Sequence, residues 1–433
     1  MDALYRALYH AEQYLETLDR EPVGPTADLA TMRSQLLKPL NDAPLPAADV
    51  IDELVADSQG GIMGSTGGRF FAWVIGGAVP AALAADWLTS AWDQNAGIYA
   101  AGPAAAVAEE AAGAWLKDLL GLPADAGFAL VTGCQMAHVT CLAAARDAMG
   151  GTGVRVLCAD TTHGTVHRAL RLLGMQKSSV IAGTLTASAL SAELNREPDR
   201  AAIVVLQAGE LNTGAYDDFE ELIPVAKAVN AWVHVDGAFG LWAAASPRFR
   251  HLLKGVGQAD SWATDGHKWL NVPYDCGYAF VKDRNAHRAA MSRHESYLIH
   301  DDDARDQVDW NPEFSRRARG FPTYAALRQL GRAGIADLVE RCCDFARQLV
   351  LGIGKLPQAE VLCEPIINQG LLRFGDSDDF TDQIIRRIVD SGEAFFGGVS
   401  WRGRRAMRVS VCNWRTTQAD VDRVIAAFAR ILK

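Results

Sequence analysis

The fold predicted for this chain of 433 residues is α/β, with a mostly parallel sheet covered by helices on both faces. Three observations predict it. Short apolar runs alternate with amphipathic helical stretches through the middle of the chain. A second, shorter alternation of the same kind closes the chain, and a helical stretch poor in strand signals opens it. The expected organisation is therefore an N-terminal helical segment over residues 1–60, a large domain over 61–315 and a small C-terminal α/β domain over 316–433.

The elements follow in order. "MDALYRALYHAEQYLETLDR" is an amphipathic helix that carries acids and lacks the apolar centre of a secretory leader. "FFAWVIGGAVPAALAADWL" is apolar but broken by Gly-Gly, Pro80 and Asp86, which argues against a membrane span. "AAVAEEAAGAWLKDLL" has helical spacing and stops at Gly121 and Pro123. Then come the strand "FALVTG", the helix "MAHVTCLAAARDAM", the strand "VRVLCAD" and the helix "TVHRALRLLGM". The strands "AAIVVLQAG" and "AWVHVDGA" flank the helix "DFEELIPVAKAVN". Asp301 to Arg319 is charged and aperiodic, a long loop or lid candidate. Long helices follow from Phe321. "GLLRFGD" and "AMRVSVC" are strands about the helix "DFTDQIIRRIVDSG", and "ADVDRVIAAFARILK" is the closing helix.

Composition narrows the function classes. With 49% hydrophobic and 22% charged residues, the chain reads as an ordinary globular protein. A net charge of −10 argues against nucleic acid or an anionic membrane as the main partner. Eight cysteines without a CxxC spacing point to reduced thiols and a cytoplasmic location.

Ligands of an open α/β sheet sit at the carboxyl ends of its strands, and three such ends carry chemistry. At "VTGCQMAHVTC" a strand turns through Gly133, Cys134 and Gln135 into a helix, whose free N–H groups suit a phosphate. An ordinary strand-to-helix turn explains that segment equally well when it is taken alone. At "HVDGAFG", Asp236 ends an apolar strand, where a buried acid needs a positive partner, a helix cap or an ion pair. At "DGHKWLNVPYDCG", Lys268 stands 32 residues beyond Asp236, between a histidine and a tryptophan. A lysine that attacks a carbonyl needs its amine partly desolvated. A phosphate cradle, an acid for a pyridine nitrogen and a Schiff-base lysine are together what a pyridoxal phosphate site needs. No P-loop or complete dinucleotide fingerprint is present.

"HVDGAFG" followed by "DGHKWLNVPYDCG" resembles the signature of the group II pyridoxal phosphate-dependent decarboxylases, which act on aromatic amino acids, glutamate and histidine. "GRFFAWVIGG", "NAGIYAAGPAAAVAEEAAGAWL" and "SRRARGFPTYAALRQLG" resemble further segments of that family, so the likeness spans most of the chain. It implies fold type I, the PLP-dependent transferase fold, with a seven-stranded sheet in the large domain. It implies pyridoxal 5'-phosphate as cofactor, held as an aldimine by Lys268, with Asp236 on the pyridine nitrogen. His163 would stack on one ring face and Ala238 on the other, while His267 and the backbone at Gly133, Cys134 and Gln135 would hold the phosphate. A metal pair of His163 with His167 competes for the first role, but no third ligand lies near in sequence, and no metal is expected. The expected reaction is decarboxylation of an L-amino acid to amine and carbon dioxide. The expected assembly is a homodimer with active sites at the interface and N-terminal helices wrapped on the partner.

Three departures bear on substrate and outcome. The phosphate turn reads Thr-Gly-Cys-Gln-Met-Ala-His, with Gln135 where the family has a hydroxyl. "GELNTG" puts Glu210, followed by Asn212, where a small hydroxyl residue is usual; Glu210 could receive a cationic substrate group or turn away into a hydrogen-bonded pocket. The mobile-loop tyrosine that protonates the carbanion in many members falls on Gln307, which cannot act as an acid; His300 or water is the substitute. Those departures keep open an aldehyde-forming oxidative deaminase, or a carbon–carbon lyase resembling sphingosine phosphate lyase. A non-catalytic protein that kept the fold is a further alternative. Phe70 and Phe71, with Trp73, lie in the segment that lines the substrate pocket by resemblance, and suit an aromatic or bulky amino acid; a core role is the competing reading.

Overall fold

The computed structural model describes residues 2–175, 179–183, 185–293 and 303–433. In chain order, the elements are α1 (Asp2–Thr17), α2 (Leu29–Leu36), α3 (Ala47–Asp57), α4 (Pro80–Trp92), α5 (Pro103–Leu119), β1 (Gly127–Val131), α6 (Cys134–Ala148), β2 (Arg155–Ala159) and α7 (Gly164–Leu172). They continue with β3 (Ser179–Ile181), α8 (Ala187–Leu194), β4 (Ala202–Gln207), α9 (Phe219–Lys227), β5 (Trp232–Asp236), β6 (Ser261–Asp265), β7 (Gly277–Val281) and α10 (Arg284–Met291). The last are α11 (Gly320–Gly354), β8 (Ala359–Cys363), β9 (Gln369–Phe374), α12 (Asp378–Asp390), β10 (Gly397–Trp401), β11 (Arg404–Ser410) and α13 (Gln418–Ile431).

The chain divides into two compact units, one of residues 76–344 with 365–369, the other of residues 1–75, 345–364 and 370–433. These bounds differ from the three consecutive segments expected from sequence. The N-terminal helices belong to the same unit as the C-terminal sheet, a grouping made by contacts between residues hundreds of positions apart.

In the first unit seven strands lie in the order β1-β7-β6-β5-β4-β2-β3. β6, β5, β4, β2 and β3 pair in parallel, and β7 runs antiparallel to both β1 and β6. Every residue of β1, β2, β4, β5, β6 and β7 is buried, as expected of strands covered on both faces, and this is why all but the polar β6 run largely apolar without strict alternation. The register aligns the carboxyl ends that matter: Gln207 faces Asp236, Asp236 faces Ala263, Asp265 faces Gly277, and Val131 faces Gly277. α6 packs its small face, Ala137, Cys141, Ala144 and Ala145, into this core.

The stretch read as a loop or lid is irregular but structural over its described residues. Gln307, Val308, Trp310 and Asn311 are buried. Arg316 and Glu109 form a fully buried double hydrogen bond at 2.8 and 3.2 Å, and Arg316 also donates to the carbonyls of Ala96 and Leu130. Such a buried guanidinium, with both Nη groups bonded, fixes α5 and β1 against the segment around residue 96.

In the second unit four strands lie in the order β10-β11-β9-β8, with α12 and α13 belonging to the same unit. Arg69 is buried and donates to four carbonyls, those of Asp19, Glu21, Gly392 and Glu393. Phe70 stacks on Phe395 at 5.1 Å and Phe71 packs on Phe396, both almost fully buried. In that unit they are core side chains.

Candidate active site

A cavity of about 340 Å³ opens at the carboxyl ends of β1, β4, β5 and β6. Eight expected cofactor residues line it together: Gly133, Cys134, Gln135, His163, Asp236, Ala238, His267 and Lys268. Met136, Thr165, Gln207, Leu211, Phe239 and Asp265 line it as well.

Lys268 follows β6 in a turn held from behind. Asn271 adopts a left-handed φ of 56° and is buried, and its carbonyl accepts from Val79 N–H. Its Oδ1 accepts from Gly77 N–H at 2.9 Å. Any side chain at Gly76 would run into the Lys268 carbonyl oxygen. That is the purpose of the abrupt turn after the lysine: it leaves the Lys268 backbone one position.

The Lys268 Nζ lies 2.9 Å from Asp265 Oδ2. Burial acts to lower its pKa, but Asp265 foremost, with Asp236 beyond, outweighs burial and holds the amine above its ordinary range. The lysine is therefore desolvated, as the sequence reading expects, yet protonated at neutral pH. Asp265 is the main residue that reasoning missed. Its Oδ1 also accepts from Cys134 N–H at 2.5 Å and faces His267 Nε2 at 3.4 Å. The signal was an acid three positions before the lysine, inside the motif itself.

His267 stacks on Tyr274 at 4.2 Å, and its Nδ1 accepts from Cys276 N–H at 3.2 Å, which leaves the ring hydrogen on Nε2. Burial lowers its pKa and favours the neutral ring. His163 caps α7, its Nδ1 accepting from Thr165 N–H, and its ring is exposed. Among the described residues it gathers no metal-ligand cluster with His167. Asp236 Oδ1 accepts from Ala238 N–H at 3.2 Å, and Cys134 Sγ lies 4.0 Å from it. Burial pushes the Cys134 thiol well up, so it is a neutral S–H.

In the first turn of α6 the Cys134 N–H is taken by Asp265 and the Met136 N–H by the Gly133 carbonyl, while both side-chain amide atoms of Gln135 are buried with no hydrogen bond. Gly277 lets β7 approach this turn, since a side chain there would strike the Gly133 backbone. Gln207 Nε2 donates to Thr161 Oγ1 at 2.8 Å at the end of β4.

The residues expected to meet substrate are placed differently. Glu210 is buried and turned away. Its carboxylate accepts from Asn212 N–H, Asn212 Nδ2, Thr213 N–H and Thr213 Oγ1 at 2.8–3.0 Å, so it stabilises its own turn. Glu210 and Asn212 do not line the cavity, though their neighbours Gly209 and Leu211 do. Gln307 is buried beside Arg305, which also donates to the Phe128 carbonyl, and it does not line the cavity either. His300 lies outside the described residues.

The family model described as pyridoxal-dependent decarboxylase conserved domain matches residues 32–374. An aromatic-L-amino-acid decarboxylase of Bacillus atrophaeus is 24% identical over 97% of this chain and 93% of its own length. A 4-hydroxyphenylacetaldehyde synthase of Rhodiola rosea is 24% identical over 95% of this chain and 90% of its own length. Among solved structures, Oryza sativa TDC with PLP and tryptamine shares the fold with a TM-score of 0.92 at 23% identity, covering 100% of this chain and 98% of that one.

Proposed function

Since the chain belongs to the pyridoxal-dependent decarboxylase family, and is thus a lyase that works with pyridoxal 5'-phosphate, we propose that it decarboxylates an aromatic L-amino acid to the amine and carbon dioxide in the cavity around Lys268. The single observation that carries the assignment of the site is the convergence of Lys268, Asp236, His163 and the α6 N-terminus on one cavity.

The residues present fit the cofactor. The buried, unpartnered Gln135 side-chain amide and the Gln135 backbone N–H in the first turn of α6 are donors for a phosphate. Asp236 Oδ2 takes no hydrogen bond from the described residues and is the acceptor for a pyridine N–H. His163 and Ala238 would hold the ring between them, and His267 Nε2 adds a phosphate donor. The chemistry the cofactor supplies when bound is an electron sink for the pair left by the departing carboxyl group. Asp236 keeps the ring nitrogen protonated, and Lys268 Nζ, held by Asp265, is the atom that moves protons at the α-carbon.

An aromatic substrate is supported by the lining and by the relatives. Met136, Leu211 and Phe239 are apolar, and Lys268 is the only lysine or arginine among the described lining residues. A substrate with a side-chain carboxylate would find no other fixed cation there. The relatives from Bacillus atrophaeus and several animals are aromatic-L-amino-acid decarboxylases. A second reading, release of an aldehyde with molecular oxygen as oxidant, is favoured by the Rhodiola rosea relative and by the absence of any tyrosine between Tyr297 and Tyr324. The protein is further read as a cytoplasmic homodimer. All eight cysteines are free thiols, and no helix among the described residues is long and apolar enough to cross a membrane.

The test is spectroscopic and then chemical. The purified protein should show a visible cofactor band that borohydride traps on Lys268, and Lys268→Ala should lose both the trapping and roughly 10²–10⁴-fold of turnover. L-tryptophan, L-tyrosine and L-phenylalanine should yield amine and carbon dioxide in equal amounts. Aldehyde with ammonia would select the second reading, and turnover of L-glutamate alone would overturn the aromatic assignment.

A further inference from the structure

A buried pair of imidazoles lies behind Asp236, and neither ring lines the cavity. His138, on α6, and His234, on β5, are both fully buried. His138 Nδ1 is 2.9 Å from His234 Nε2. His234 Nδ1 is 2.9 Å from Ser261 Oγ, which the parallel register places directly opposite it, and Trp232 Nε1–H donates to the same hydroxyl at 2.9 Å. At the other end, His138 Nε2 faces Cys134 Sγ at 3.4 Å and Asp236 Oδ1 at 3.6 Å. The sulfur, the ring nitrogen and the carboxylate oxygen all lie within 4.8 Å of one another. His234 and Asp236 are two apart on β5, so they project from the same face, toward α6.

Donor accounting gives the chain a direction. If Ser261 O–H donates to His234 Nδ1, His234 carries its hydrogen on Nε2 and donates to His138 Nδ1. His138 then carries its own hydrogen on Nε2, aimed at the sulfur and the carboxylate. Every donor has an acceptor. In the reverse direction the buried Ser261 O–H has no acceptor among its contacts, and the bare Nε2 of His138 faces an ionised carboxylate. Burial lowers the pKa of both rings, well below the ordinary value for His234, so the chain operates with two neutral imidazoles. The charged and titratable groups that face His138 are Asp236, Asp265, His163, Lys268 and Cys134.

We propose that Trp232, Ser261, His234 and His138 form a one-way hydrogen-bond chain whose last ring N–H reaches Cys134 Sγ and faces the Asp236 carboxylate at 3.6 Å, and that His138 is thereby a positioning residue that sets, through its dipole, how fully the cofactor's ring nitrogen stays protonated. The inference rests on the reading that the cavity holds pyridoxal phosphate. By stabilising the ionised carboxylate, the chain favours transfer of a proton to the ring nitrogen and so strengthens the electron sink.

The first experiment reads the tautomers in holoenzyme labelled with ¹⁵N-histidine, using long-range ¹H–¹⁵N correlation, with His138 and His234 assigned by substitution. Both rings should be neutral and protonated on Nε2. A hydrogen on Nδ1 of either ring, or an imidazolium, overturns the proposal. The second loads the enzyme with cofactor ¹⁵N-labelled in the ring. His138→Leu should shift the ring nitrogen toward its deprotonated resonance and lower kcat roughly tenfold with little change in KM, the loss expected when a polar N–H facing a buried carboxylate is replaced by an apolar group. His138→Gln, which keeps an N–H, should restore both. An unshifted ring nitrogen in His138→Leu overturns the proposal. If that variant does not fold, Ser261→Ala takes its place, with a smaller shift in the same direction expected and no shift counting against the chain. Failure of the cofactor reading would be separate and visible, since the protein would then form no cofactor band while the tautomers could still be read.

Discussion

At the residue scale, the chemistry turns on a lysine that is held protonated. Asp265 Oδ2 sits 2.9 Å from Lys268 Nζ, and its charge raises the amine's pKa against the opposing effect of burial. An amine protonated at neutral pH cannot attack an aldehyde, so capture of the cofactor by the apoprotein depends on the small free-base fraction. Asp265→Asn keeps an acceptor for Cys134 N–H but removes the charge. The sign is definite: without the carboxylate the lysine pKa falls, more free base is present, and the pH midpoint of the cofactor-attachment rate moves to lower pH. Stopped-flow absorbance over a pH series measures it, and an unmoved midpoint would show that Asp265 does not protonate the lysine. Asp217 gives a second prediction at this scale. Its Oδ2 accepts from Gln207 N–H at 2.7 Å, steadying a residue that lines the cavity. Burial raises its carboxyl from an ordinary 3.8 to about 6, with the Gln207 N–H opposing. A raised folded pKa gives stability that is present below 3.8 and lost as pH rises through about 6, up to about 3 kcal/mol in all. Asp217→Asn should therefore raise the thermal midpoint at neutral pH and flatten its fall across that window; an unchanged slope would assign the pH dependence to another group.

At the element scale, the turn after β6 is the part that cannot be loosened. Gly76→Ala would push a methyl group into the Lys268 carbonyl and against Asn271, whose backbone and side chain bind the segment from Gly77 to Val79. Overpacking of this kind costs about 1–3 kcal/mol. The expected result is a folded protein with a lower melting point that binds cofactor weakly, measured by cofactor content after dialysis; full retention would mean the turn tolerates displacement. The elements themselves were largely legible from sequence. β1, β2, β4 and β5 are buried on both faces and so appear as unbroken apolar runs. β6, "SWATD", was not recognised as a strand because its polar residues look like a loop, and their partners become apparent only in the sheet, as with Ser261 beneath Trp232 and His234. The eight cofactor residues were legible because each stands in a motif at a strand end. Asp265 was overlooked within such a motif. Glu210, Asn212 and Gln307 could not be placed from sequence because their surroundings are set by a local turn in one case and by Arg305 and Phe128 in the other.

At the scale of the whole molecule, the three N-terminal helices α1, α2 and α3 have no buried residue, and α1 presents the most telling surface. α1 has no buried residue, although it carries a stripe of large apolar side chains. Leu4 and Leu8, and Tyr5 and Tyr9, are spaced four apart on adjoining lines of its surface, and they are 66%, 40%, 63% and 51% exposed. The helix is secured along another edge, where Arg6 and His10 both bond Asp52 Oδ1 on α3, so it is held in place while its apolar side stays uncovered. Apolar surface presented on an anchored helix is stabilised by burial against a second surface, and a second copy of the chain is the partner proposed here. Leu4→Glu with Leu8→Glu leaves the Asp52 contacts intact and places two charges on the stripe. In sedimentation velocity at micromolar concentration the native protein should run as a dimer of 46.7 kDa chains and the double variant as a monomer. If the active sites also depend on the interface, specific activity of the variant should fall with dilution while that of the native enzyme stays constant. A native protein that sediments as a monomer with full activity would defeat the proposed assembly, and a dimeric double variant would place the interface away from α1.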